Sequence, residues 1–159
     1  MPIGWEAEHL SYQVDQSNKI ESTGDTALAL SNSREYTIRI PAKEKRDAIR
    51  ALRRHPRGRQ RIRVHLRLFS VALYYLVREL PPGERVIIDI EYTGHEKNIK
   101  NMLLALLWRD HPDFDADNTT FGYVGKKSPA HKKALAIYRG KARADRIITA
   151  RDLLIPITG

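Results

Sequence analysis

Arg85-Val86-Ile87-Ile88-Asp89-Ile90-Glu91-Tyr92 is an apolar, β-branched run into which two acids have been set. Such composition predicts a strand, and side chains two apart on a strand project to the same face. Asp89 and Glu91 therefore line one side, while Ile88, Ile90 and Tyr92 cover the other. Two like charges in an apolar strand repel each other and are costly to desolvate unless a cation, a proton or water relieves them. Asp15 lies in another strand-like stretch, His9-Leu10-Ser11-Tyr12-Gln13-Val14-Asp15-Gln16-Ser17. If those strands are neighbours, three carboxylates converge, and a divalent metal with oxygen ligands is the natural relief.

Around that strand the pattern alternates. His9 to Ile20, Thr26–Leu30 and Glu35–Ile40 read as three strands joined by short polar turns, an antiparallel meander. Lys43 to Arg54 places Ala48, Ile49 and Leu52 at helical spacing. A longer helix from about Arg59 to Leu80 is stopped by Pro81-Pro82-Gly83. After the acidic strand, Thr93 and Glu96 have capping-box spacing for a helix through Trp108. Thr120–Gly125 reads as a strand, and Ser128-Pro129 as the cap and first turn of a helix ending near Gly140. The state of the apolar pieces Ile147-Ile148 and Leu153-Leu154-Ile155 stays open. Strands separated by helices imply parallel crossovers, so the expectation is one mixed-sheet α/β domain over residues 1–159, with a basic helical hairpin at about 43–80.

This order of elements resembles the ribonuclease H-like superfamily. The resemblance implies three antiparallel strands, a fourth lying parallel beside the first, further αβ units, and helices packed on the sheet. It also implies a nuclease-like hydrolase that uses a two-metal carboxylate site, with Mg or Mn, on nucleic-acid phosphodiesters. Asp15 in Val14-Asp15-Gln16-Ser17 matches the first-strand aspartate and Asp89 the fourth-strand acid, a role Glu91 shares or replaces. Glu44, with Asp47 nearby, is available for the first-helix position. For the last position the choices are His131, near the start of the Ser128 helix, and Asp145, beyond its end. The implied catalytic set is Asp15, Asp89, Glu91 and His131, and the implied metal ligands are Asp15, Asp89, Glu91 and Glu44.

Charge points to the same class of partner. There are 28 Lys and Arg against 19 Asp and Glu, a formal net charge of +9, which favours polyanions such as DNA or RNA. Between residues 43 and 67, Lys43, Lys45, Arg46, Arg50, Arg53, Arg54, Arg57, Arg59, Arg61, Arg63 and Arg67 are offset only by Glu44 and Asp47. Internal ion pairing cannot absorb that excess, so the run reads as a phosphate-binding arm. Lys126, Lys127 and Lys132 flank the Ser128 helix start and suit a phosphate cradle. The competing reading is a non-catalytic, basic nucleic-acid-binding or scaffold protein whose carboxylates are met by salt bridges or water.

Other signals fall away. Pro56-Arg57-Gly58-Arg59 is similar to an AT-hook core, but Gln60 stands where its second proline belongs and the glycine serves as an ordinary turn. Asp113 to Asn118 lacks the glycine and the closing glutamate of an EF-hand. Leu103, Leu104, Leu106, Leu107 and Trp108 read as core, and Tyr74 and Tyr75 as packing residues. The absence of cysteine excludes disulfides and thiolate zinc sites. No secretory signal is recognisable at Met1–Glu6, and Arg67, Ser70 and Arg78 interrupt the most apolar helix, so no membrane span is expected and a cytoplasmic location is.

Overall fold

A computed structural model describes residues 11–54 and 61–158, with the side chains of 61 and 62 left aside. Six strands form one mixed sheet: β1 (Tyr12–Ser17), β2 (Thr26–Ser31), β3 (Glu35–Ile40), β4 (Val86–Asp89), β5 (Thr119–Gly122) and β6 (Arg146–Ile147). Their spatial order is β5-β4-β1-β2-β3-β6. The first three run antiparallel as a meander, while β4 lies parallel to β1, β5 to β4 and β6 to β3. Among the described residues five α-helices accompany them: α1 (Ala42–Arg54), α2 (Arg61–Val77), α3 (Glu96–Asp110), α4 (Pro129–Tyr138) and α5 (Ala150–Thr158). This α/β arrangement is compatible with a ribonuclease H-like fold.

The sheet faces are loaded unequally, and alternation along the strands decides which residues go where. On one face Tyr12 and Val14 of β1, Leu28 and Leu30 of β2, Ile38 and Ile40 of β3, and Val86 and Ile88 of β4 join Phe69, Leu73 and Leu76 of α2 in the main core. Helix α3 packs on α2, and α5 on α1 and α2. The other face is covered by α4, which meets β1, β2 and β3. There β2 presents Ala27 and Ala29, both fully buried, and α4 answers with buried Ala130, Ala134 and Ile137. Small residues on both partners let helix and sheet approach closely, which brings residues of α4 within reach of β1.

Several expectations shift. The acidic strand ends at Asp89, so Glu91 follows it in the connection to α3. Thr93 and Glu96 form no capping box: the Tyr92 carbonyl accepts from the His95 N–H at 3.0 Å, and α3 starts one turn later with His95 as an N-cap that makes no side-chain bond. Trp108 is not core but 44% exposed, its Nε1 donating to the Phe114 carbonyl at 2.8 Å. Lys45 does not belong to a solvated arm. It is 2% exposed, and its ammonium donates to the Lys19 and Ser22 carbonyls and to Thr26 Oγ1. The open C-terminal pieces resolve as β6 on the free edge of β3 and as helix α5. The His9-Leu10 opening of the first strand, the Pro56-Arg57-Gly58-Arg59 turn and the Arg61 side chain lie outside the described residues. No described helix is long and apolar enough to cross a membrane.

Candidate metal centre

Register makes the site. Val14 pairs with Ile88 across β1 and β4, so one residue further on Asp15 and Asp89 stand side by side on the α4 face. Asp15 pairs on its other side with Ala29, and Asp89 with Gly122. The two acids are thus flanked by the smallest side chains in their row. Glu91, two residues beyond Asp89, turns back to join them. Ligand oxygens of Asp15, Asp89 and Glu91 all lie within 4.8 Å of one another.

Chain groups hold two of the three carboxylates. Asp15 is 5% exposed. Its Oδ1 accepts from the Gln16 N–H at 2.8 Å, and its Oδ2 lies 2.7 Å from His131 Nδ1. Asp89 Oδ1 accepts from the Val124 N–H at 2.8 Å, which ties the end of β4 to the segment after β5. The Lys19 ammonium donates to the Glu91 carbonyl at 3.1 Å and sits over the Tyr92 ring. Asn18, at φ 65°, makes the left-handed turn that ends β1 there; its side-chain amide donates to the Thr23 and Asp25 carbonyls.

Crowding shows in the acidity of these groups. Burial pushes the Glu91 carboxyl up to about 8, reinforced by a hydrogen bond and repulsion from Asp89 and by the charge of Asp15. Burial also raises Asp15, with Asp89 adding to the effect, while the Gln16 N–H and His131 oppose it. The cluster therefore retains a proton near neutral pH, as expected where three acids share one small volume. A hard divalent cation is bound by just such oxygens, and it would displace that proton. The donor set fits Mg or Mn. Hydrogen-bonded carboxylates also keep lone pairs for a metal, and outer partners of this kind orient ligands.

Other expected site residues divide. His131 reaches the cluster, positioned by Ser128, whose Oγ accepts from the His131 N–H at 3.3 Å as the N-cap of α4. Asp145 does not: its carboxylate accepts from Thr37 N–H and Oγ1 on β3, two strands away from Asp15. Glu44 does not either. Its Oε1 accepts from the Ala150 N–H at the start of α5, among the helices of the opposite face. Asp15 itself is enclosed rather than open to solvent, so access runs past the half-buried Asp89 and Glu91.

Arg53 and Arg54 at the end of α1, Arg63 in α2, Lys126 and Lys127 before α4 and Lys132 within it are all exposed. Arg57, Arg59 and Arg61 fall outside the described side chains. Two neighbours of the cluster escaped sequence reasoning. Lys19 fell within the stretch read as the first strand, without distinctive context. Tyr123 is 86% exposed although it directly precedes Val124, and its position after Phe121-Gly122 resembled any strand aromatic.

No protein-family model matches the chain, and no curated protein matches it in sequence.

Proposed function

We propose that the protein is a metal-dependent nuclease of the ribonuclease H-like class, acting on phosphodiesters of DNA or RNA. The observation that carries this reading is the convergence of Asp15, Asp89 and Glu91 oxygens within 4.8 Å, from two adjacent strands and a following turn. Support also comes from the sheet order, whose three-stranded meander and parallel fourth strand are those the resemblance implies.

Asp15, Asp89 and Glu91 would hold Mg or Mn. The chemistry such ions supply when bound is polarisation of a phosphoryl oxygen, activation of water and stabilisation of the leaving oxygen. The chain's own contribution is preorganisation. The Gln16 N–H, the Val124 N–H and His131 fix two carboxylates before any ligand arrives, so little reorganisation remains. His131 engages Asp15 through Nδ1, which leaves its other ring nitrogen to exchange a proton with water or a departing product. Lys19, Lys126, Lys127 and Lys132 supply cations for the backbone of the substrate, and Tyr123 a face on which a base can stack.

The test is Mn²⁺ titration of the purified protein, followed by thermal unfolding and by cleavage of single-stranded, duplex, hybrid and branched substrates. Mn²⁺ at one hundred times its Kd should add about 2.7 kcal/mol of stability. Asp15→Asn and Asp89→Asn should each abolish both that gain and cleavage. A wild-type protein that neither gains stability nor cuts any substrate returns the carboxylates to a structural role. The basic surface would then belong to a non-catalytic nucleic-acid-binding protein.

A further inference from the structure

A second site lies between α2 and α3, away from α4. There Arg63 and Arg67 of α2 face His95, Asn98 and Asn101 at the start of α3 across a groove of about 520 Å³. Arg63 and Arg67 are four residues apart, and Asn98 and Asn101 three, so each pair occupies one side of its helix. No acidic residue lines the groove among the described residues, and Glu96 of the first α3 turn is outside it. None of the five polar side chains has an ion pair or side-chain hydrogen bond among the described residues. Leu66 and Met102 give it an apolar floor.

Two arginines left without counterions, in a furrow free of acids, call for an anionic ligand. The asparagines and the histidine narrow its chemistry. Their side chains both donate and accept, so they suit a ligand that carries donor and acceptor groups beside its negative charge. A nucleic-acid strand uses both, with phosphates for the arginines and base or sugar groups for the amides. The furrow has the volume of a small-ligand cleft, room for part of an unpaired strand.

Location links it to the metal centre. The opening turns of α2 are tied to the carboxylate end of the sheet, where His65 Nδ1 lies 4.0 Å from Glu21 Oε2 and the Tyr92 hydroxyl donates to that same oxygen. His95 follows Glu91 by four residues, so their Cα atoms are no more than about 14 Å apart. The geometry points to the α2–α3 groove as the seat for an unpaired strand of nucleic acid that continues from the carboxylate cluster, an inference that rests on the nuclease reading for its substrate.

Fluorescence anisotropy with a labelled single-stranded oligonucleotide tests this, using the full chain carrying Asp15→Asn to prevent cleavage. Adding Arg63→Ala and Arg67→Ala should weaken binding at least tenfold. It should also flatten the dependence of log K on log salt by about 1.4, since each phosphate contact to a single strand contributes about 0.7. Adding Asn98→Ala and Asn101→Ala instead should weaken binding with the slope unchanged. Retained thermal midpoints separate these losses from unfolding. An unchanged slope in the arginine variant overturns the groove, as does equal weakening for duplex and single strand, or displacement of a labelled poly-glutamate with no oligonucleotide binding. The two readings fail separately. Groove-dependent binding without Mn²⁺-dependent cleavage by the wild type keeps the groove and removes the nuclease. Cleavage that survives beside an unaltered salt slope does the reverse.

Discussion

Glu91 is the residue whose acidity the fold alters most usefully. Its carboxyl is raised to about 8 in the folded chain from an ordinary value of 4.5. An acid with a raised folded value binds more protons folded than unfolded between those limits, so stability must fall as pH climbs through that window. In EDTA, thermal unfolding should show the midpoint of the wild type declining from about pH 4.5 to 8, and Glu91→Gln should flatten the decline. A decline of equal depth in both proteins would place the titration elsewhere. Lys45 makes a different point. Its ammonium satisfies three oxygens from the β1–β2 connection and β2, and Lys45→Met strands them. Chemical denaturation should register a loss of about 1–3 kcal/mol, against almost none for the exposed Lys43→Met. Helical spacing puts Lys45 on the face of Ala48 and Leu52 and Lys43 off it, but only the folded turn supplies the oxygens that enclose the Lys45 ammonium.

At the scale of elements, the approach of α4 to the sheet is set by alanines. Ala29 lies between Asp15 and Thr37 in its row, fully buried beneath the helix. Ala29→Leu should cost about 1–3 kcal/mol by overpacking. It should also lift His131 from Asp15, seen by NMR as displaced imidazole resonances of that residue. Strands β1 to β5 and the Ser128 cap were legible because their signals are local: apolar alternation, β-branching, and a serine before a proline. The choice of His131 over Asp145 rested on the resemblance and on no local signal of its own. It depends on which strand each residue reaches through space, and Asp145 turned to Thr37. The capping box failed for a related reason: Gly94, at φ 87°, completes a turn that delays the helix past Thr93. Strand β6 has only two residues and exists because β3 offers a free edge.

Among the described residues the sheet carries a thick helical layer on one side and a single helix on the other. Amides of α2, inside the main core, should exchange with solvent only on global unfolding, whereas those of α4 should open earlier as a separate unit. Hydrogen-exchange mass spectrometry checks this: equal protection of the two helices would contradict it, and Asp15→Asn should accelerate α4 alone. The unequal layering also bears on inheritance. Asp15, Asp89 and the histidine that touches Asp15 sit on the thin side, where few apolar contacts depend on them. Descendants of such a chain are free to swap or silence those groups while the scaffold persists, so the architecture should outlast the reactivity in its lineage.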